Sequence, residues 1–207
     1  MAVTSNWNRI SMSSNSLLLC LILLLAGCAS APTPPEASNT TAKRQAEANR
    51  EIAMYAIAMA DIQDNKLQTA QALLTKITDK HPELAGPWAN LALIDIKNKD
   101  YAKARQHVNK ALTRDPALPQ AYNLLGYLDK QDGNINQAIA DYQQAIAKKP
   151  DYAVAHYNVA LLYDIYLQDI PNAIAHYKRY LVLTNNQDQR TADWVHELES
   201  SQKRGTP

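Results

Sequence analysis

The chain repeats itself every 34 residues, and no other feature limits its fold as strongly. Pro82, Pro116 and Pro150 form one ladder at this spacing, and Ala70, Ala104 and Ala138 a second. A third runs Met54, Trp88, Tyr122, His156, and a fourth Ala58, Ala92, Gly126, Ala160. A fixed period of this length means one supersecondary unit copied along the chain. No copy can bury its apolar face alone, so the copies must stack and the ends of the stack must be closed.

Residues 119–152 show why each copy reads as two helices. Tyr122 and Leu125 stand three apart and share a helical face, as do Tyr142 and Ala145. Gly126 and Ala138 fall where two such helices would cross, and bulk at 126 would push them apart. Asp132, Gly133 and Asn134 make the turn, with Gly133 free to take positive φ and Asn134 placed to cap the next helix. Asp100 stands at the corresponding cap one copy earlier. Pro150 lacks a donor and stops the second helix. With Tyr122 at the usual Trp position and Leu125-Gly126 at the Leu-Gly pair, the pattern resembles the tetratricopeptide repeat family. The resemblance implies an all-α solenoid of four helix-turn-helix units over 51–84, 85–118, 119–152 and 153–187, within a repeat region of 43–187.

The other units drift. The first has Met54 and Leu74 at its two bulky positions. The second carries Val108 where an aromatic is common. In the fourth, Ala173 and Tyr177 lie 35 residues after Ala138 and Tyr142. One residue is therefore inserted, and the expected place is the turn Tyr166–Pro171, with Pro171 opening the next helix. Asn185 stands near the place of the missing terminal proline. Residues 188–207 hold a capping helix and tail, with Trp194, Val195 and Leu198 as an apolar stripe. Thr41–Arg50 extends the first helix backward.

The N-terminus carries a different signal. Leu17–Leu25 is a short apolar run, and it ends in Ala26, Gly27 and Cys28. A run this short is below the roughly 20 residues of a membrane-spanning helix and reads as a processed signal. It resembles a bacterial lipoprotein signal with its lipobox. That resemblance implies cleavage after residue 27 and acylation of the Cys28 thiol. Residues 28–42, with Pro32, Pro34 and Pro35, then form a lipid-anchored extended linker. Ala29 and Ser30 follow the cysteine, so the retention signal Asp is absent and the expected location is the outer membrane, facing the periplasm.

Charge and cysteine content exclude several classes. The chain has 21 basic and 20 acidic residues, and loss of residues 1–27 removes only Arg9, which leaves a neutral protein. It has no basic excess for nucleic acid. Cys20 is lost with the signal and Cys28 is acylated, so no thiol remains for a disulfide and a packed core must hold the fold. Phenylalanine is absent and tyrosine numbers 11.

No catalytic constellation is visible. His81, His107, His156, His176 and His196 show no metal-ligand spacing, and no cofactor is expected. His156 occupies a core aromatic position, where a packed, hydrogen-bonded ring is the expectation. The family resemblance points to binding instead, in a groove lined by the first helix of each unit. The groove positions include Tyr55, Met59, Asn90, Lys97, Asn123, Tyr127, Lys130, Tyr157, Asn158 and Leu161. The subfamily that grips a terminal carboxylate needs Lys and Asn where this chain has Tyr55 and Met59. The expected role is a non-catalytic scaffold for a protein partner of the cell envelope, in pilus or secretion, cell-wall or energy-coupling machinery. A pilotin-like chaperone for one outer-membrane client, or an accessory to a periplasmic hydrolase, are the alternatives.

Overall fold

A computed structural model of the chain describes residues 36–205, and side-chain surroundings over 41–204. Cys28, the signal and the first part of the linker lie outside the described residues. The described residues form helices joined by short turns, with no strand among them. Helix α1 spans Glu36–Gln63 and α2 Leu67–Lys80. Then come α3 (Ala85–Lys97), α4 (Tyr101–Arg114), α5 (Pro119–Gln131), α6 (Ile135–Lys148), α7 (Ala153–Leu162), α8 (Ile170–Leu183) and α9 (Gln189–Gly205). The expected linker therefore needs correction: its last part, from Glu36, is already helix. The helix begins directly after the proline run, the place where proline tolerates a helix start.

The chain divides into two compact units, 1–53 and 54–207, with α1 running through the boundary. In the first, the described residues belong to α1 and are almost all exposed. The second holds the repeats.

Small residues let the paired helices approach. Ala58, Ala92 and Ala160 on first helices are fully buried, as are Ala70, Ala104, Ala138 and Ala173 on second helices. At Gly126 a Cβ would stand 2.7 Å from the Tyr142 ring and 3.0 Å from the Ala138 carbonyl oxygen. That is closer than a side chain tolerates, so glycine is required at this crossing.

Two of the sequence ladders turn out to be one interaction. Trp88 Nε1 donates to the Pro82 carbonyl at 3.0 Å, and Tyr122 OH to that of Pro116 at 3.1 Å. His156 Nε2 does the same to Pro150 at 3.1 Å. Each ring packs in the core and its polar tip binds the carbonyl six residues back. Phenylalanine could fill the volume but could not donate, which gives a physical reason for its absence from these positions.

The turn between paired helices also repeats. Asn65, Lys99, Gly133 and Gln168 all have positive φ. Asp100 N–H reaches the Asp95 carbonyl and Asn134 N–H that of Asp129, which closes each first helix as a Schellman turn. Asp100 caps α4 by accepting from Lys103 N–H at 3.2 Å. Asn134 makes no such side-chain bond, contrary to expectation. The inserted residue of the last repeat lies earlier than expected, only partly within Tyr166–Pro171. It is absorbed at the end of α7 as a π-turn, Tyr163–Leu167, before Gln168 takes the left-handed conformation. Asp169 then caps α8 through Asn172 N–H.

Candidate functional site

The expected groove residues divide into three groups. Asn90 is buried and its amide is fully engaged. Its Nδ2 donates to Tyr55 OH at 2.6 Å and contacts Met59 Sδ at 3.1 Å, while its Oδ1 accepts from Gln120 at 2.8 Å. Asn123, also buried, accepts from Asn158 Nδ2 at 2.9 Å. These amides tie each first helix to the next, and Asn90 has no free group for a partner. That corrects its expected role: an amide in a desolvated seam must be paired where it lies. Burial and the Asn90 bond act on Tyr55 in opposite senses, and burial wins, raising its phenol pKa.

Lys97 is exposed. Lys130 is half-buried, with Nζ 4.8 Å from the centre of the Tyr127 ring. Burial lowers its pKa. Tyr127 in turn stands edge-on to Tyr101, with centroids 6.4 Å apart. Met59 is half-buried among the apolar side chains of the first repeat.

Tyr157 and Leu161 line a cavity of about 340 Å³ between α7, the π-turn, α8 and α9. Asp164, Ile165 and Trp194 line it with them. Asp164 stands at the start of the π-turn, and its Oδ2 accepts from Trp194 Nε1 at 2.7 Å and from Tyr177 OH at 3.2 Å. Burial, then the Asp164 charge, drive the Tyr177 phenol far above its ordinary pKa. Ile165, Tyr166 and Leu167 beside the cavity are exposed.

Sequence reading missed Asp164 and Ile165, although both fall at groove positions of the fourth repeat. Trp194 was expected within the buried stripe of the cap. In the structure Val195 and Leu198 are buried, whereas Trp194 keeps 43% of its surface exposed and forms a wall of the cavity. The first two point into the repeat, and Trp194, one position earlier on the helix, faces its rim.

A second polar feature lies between paired helices. Asp95 pairs with His107 Nδ1 at 2.6 Å. One repeat on, the equivalent positions are Asp129 and Asp141, two carboxyl groups. Arg105 reaches Asp129 at 2.9 Å and Asp132 at 2.7 Å. Asp141 accepts only from Gln137, and its Oδ2 is buried without a partner. Desolvation, with the Asp129 charge behind it, raises the Asp141 pKa to about 7. In the fourth repeat the positions hold Tyr163 and His176, stacked at 5.8 Å. His156 is buried as expected, and its Nδ1 meets His176 Nδ1 at 3.0 Å. Burial lowers the pKa of both histidines. With Nε2 of His156 donating to Pro150, its Nδ1 is the acceptor and His176 supplies the proton. Among the described residues no group of three or more His, Cys, Asp or Glu is placed to hold a metal ion, and no helix is long and apolar enough to cross a membrane.

Comparison with known proteins places these features in a family. Residues 61–127 match the family described as tetratricopeptide repeat, and residues 126–164 that described as TPR repeat. No curated protein matches the sequence. Among solved structures, the chain resembles that reported in a functional characterization of Pseudomonas aeruginosa pilF, at 18% identity and a TM-score of 0.65, over 74% of this chain and 69% of that one. A thermophilic TPR protein of Thermus thermophilus is similar at 19% identity and a TM-score of 0.61, over 74% and 84%. The first TPR of Spaghetti (RPAP3), bound to an HSP90 peptide, is similar at 18% identity and a TM-score of 0.51, over 57% and 93%.

Proposed function

The chain is a tetratricopeptide repeat protein, and from that premise we propose that it is a non-catalytic outer-membrane lipoprotein that scaffolds an envelope complex. The observation that carries the binding role is the surface of the last two repeats. Tyr127, Tyr157 and Leu161 are only half-buried there; Tyr157 and Leu161 line an open cavity together with the exposed Ile165, and Tyr166 and Leu167, which follow it, are exposed too. Rings with polar tips around an apolar depression are what protein interfaces favour. In this reading a partner lies across the first helices; one structurally similar array, the first TPR of Spaghetti (RPAP3), was solved bound to an HSP90 peptide. The anchor is Cys28, acylated after cleavage, and the protein faces the periplasm. The partner belongs to pilus or secretion, cell-wall or energy-coupling machinery.

The second reading is a pilotin-like chaperone for one outer-membrane client. The half-buried apolar run Met59, Leu93, Tyr127 and Leu161, one per repeat, favours it.

Crosslinking in intact membranes, followed by capture of the lipidated protein, tests the binding role. The double change Tyr157→Ala and Leu161→Ala is expected to abolish the crosslinked product with helix content preserved. An unchanged product would move the partner off this face. Fractionation of Cys28→Ser tests the anchor, since a hydroxyl cannot take the thioether-linked lipid. Each buried acyl methylene contributes about 0.8 kcal/mol, so its loss releases the protein. A variant that stays with outer membranes as firmly as wild type would remove the lipoprotein reading.

A further inference from the structure

The cavity beside the last repeat has an electrical character that its apolar walls do not reveal. Asp164 lines it, and only one of its carboxylate oxygens is engaged, by two neutral donors. No cation lies within ion-pair distance of it among the described residues. Arg190 also lines the cavity, but its side chain is exposed and makes no ion pair with Asp164. Oδ1 therefore remains a charged acceptor open to the cavity. Around it stand the rings of Tyr157 and Trp194 and the aliphatic side chains of Leu161 and Ile165.

This combination suits one kind of visitor. A purely apolar side chain would bury a carboxylate oxygen without a partner, which is costly. An acidic side chain would meet like charge. A basic side chain satisfies both parts of the site. Its methylenes lie against Leu161 and Ile165, its cation reaches Oδ1, and the ring faces add cation–π attraction. The cavity volume of about 340 Å³ accommodates one long side chain rather than a folded element.

We infer that the cavity receives an arginine or lysine side chain from a segment of the partner protein, with Asp164 as its counter-charge. This rests on the groove-binding reading above and names the chemistry of its last subsite. Asp164 and Ile165, the second and third residues of the π-turn Tyr163–Leu167, supply its charge and part of its apolar wall.

The probe is a glycine–serine heptapeptide with one central arginine, compared with the same peptide carrying citrulline, glutamate or leucine. The readout is the Trp194 indole N–H signal in an isotope-labelled full chain, assigned by its loss in Trp194→Phe. This proton bonds to Asp164, so it reports occupancy directly. The arginine peptide is expected to shift it at concentrations up to roughly 10 mM, and the isosteric but neutral citrulline peptide to bind at least about fivefold more weakly. Asp164→Asn should remove the difference between the two. Arg190→Gln should leave the arginine affinity unchanged or strengthen it, because a competing cation is gone. Equal binding of arginine and citrulline, tighter binding of leucine or glutamate, or no shift with any peptide would each overturn the inference. The comparison of peptides on the wild-type protein depends on no variant folding. If capture in membranes still depends on Tyr157 and Leu161 while the peptides show no charge preference, this inference fails and the groove-binding role stands.

Discussion

At the scale of single residues, the aromatic ladder joins core packing to a hydrogen bond. Tyr122 is half-buried and its hydroxyl holds the Pro116 carbonyl. Tyr122→Phe keeps the ring and leaves that carbonyl unpaired at the repeat boundary. The expected cost is about 0.5–1.5 kcal/mol, readable as a lower midpoint in denaturant with an unchanged slope. Asp141 acts in the opposite sense. Its pKa is raised to about 7 in the folded protein from an ordinary 3.8. The folded state therefore holds a proton that the unfolded state has already released between these values. Stability from this group declines as pH rises from about 4 to 7, and the decline stops once both states are ionised. Asp141→Asn should abolish that part of the pH dependence and stabilise the protein above neutrality by roughly 1–3 kcal/mol. Paired thermal melts of wild type and variant at pH 5 and pH 8 decide it: a difference between the two proteins that is the same at both pH values would refute the assignment.

At the scale of elements, the recurring turn is the feature most open to improvement. Gly133 takes positive φ without strain, but Asn65, Lys99 and Gln168 adopt it with side chains. Lysine has no local bond that compensates for the left-handed conformation. Lys99→Gly should stabilise by about 0.5–1 kcal/mol, after allowance for glycine's looser unfolded chain. For a protein of this size that is roughly 1–4 °C in Tm. A lower Tm would mean that the turn relaxes in solution. The same turn decides where the insertion lies. A 35-residue spacing shows that a residue has been added, but a loop and a π-turn satisfy it equally. What decides is the closing bond: Asp169 N–H reaches back to the Tyr163 carbonyl, and the extra residue is held inside the helix.

At the scale of the whole repeat unit, stability passes between neighbours. Val195 and Leu198 of α9 close the last cluster, packing with Ala160, Ala173, Ile174, Tyr177 and Leu181. Val195→Asp places a charge in that cluster and should cost on the order of 3 kcal/mol. Because each repeat touches only its neighbours, the loss should start at one end. Hydrogen exchange should show α8 and α7 unprotected while α3 and α4 keep their protection. Uniform loss along the array would mean that the solenoid unfolds as a single unit. Trp194→Ala should disturb stability much less, since 43% of that side chain is already exposed.

What the amino-acid order determines by itself is whatever repeats. The period, the small residues at crossings, the proline stops and the aromatic ladder each recur several times, and each acts within one helix or between consecutive helices. A local preference summed over copies in register is strong enough to read without coordinates. Only the tertiary structure decided which side chains spend their polar groups on one another. Asn90 looks like a ligand-facing amide from its position, and Trp194 like cap packing. Their roles depend on Tyr55 and Gln120 in one case and on Asp164, thirty residues earlier, in the other. Such meetings occur once, across helices, and leave no period behind. The cavity is the same kind of feature, because it lies at the π-turn where the repeat breaks, and the meeting of Asp164 with Trp194 there occurs only once.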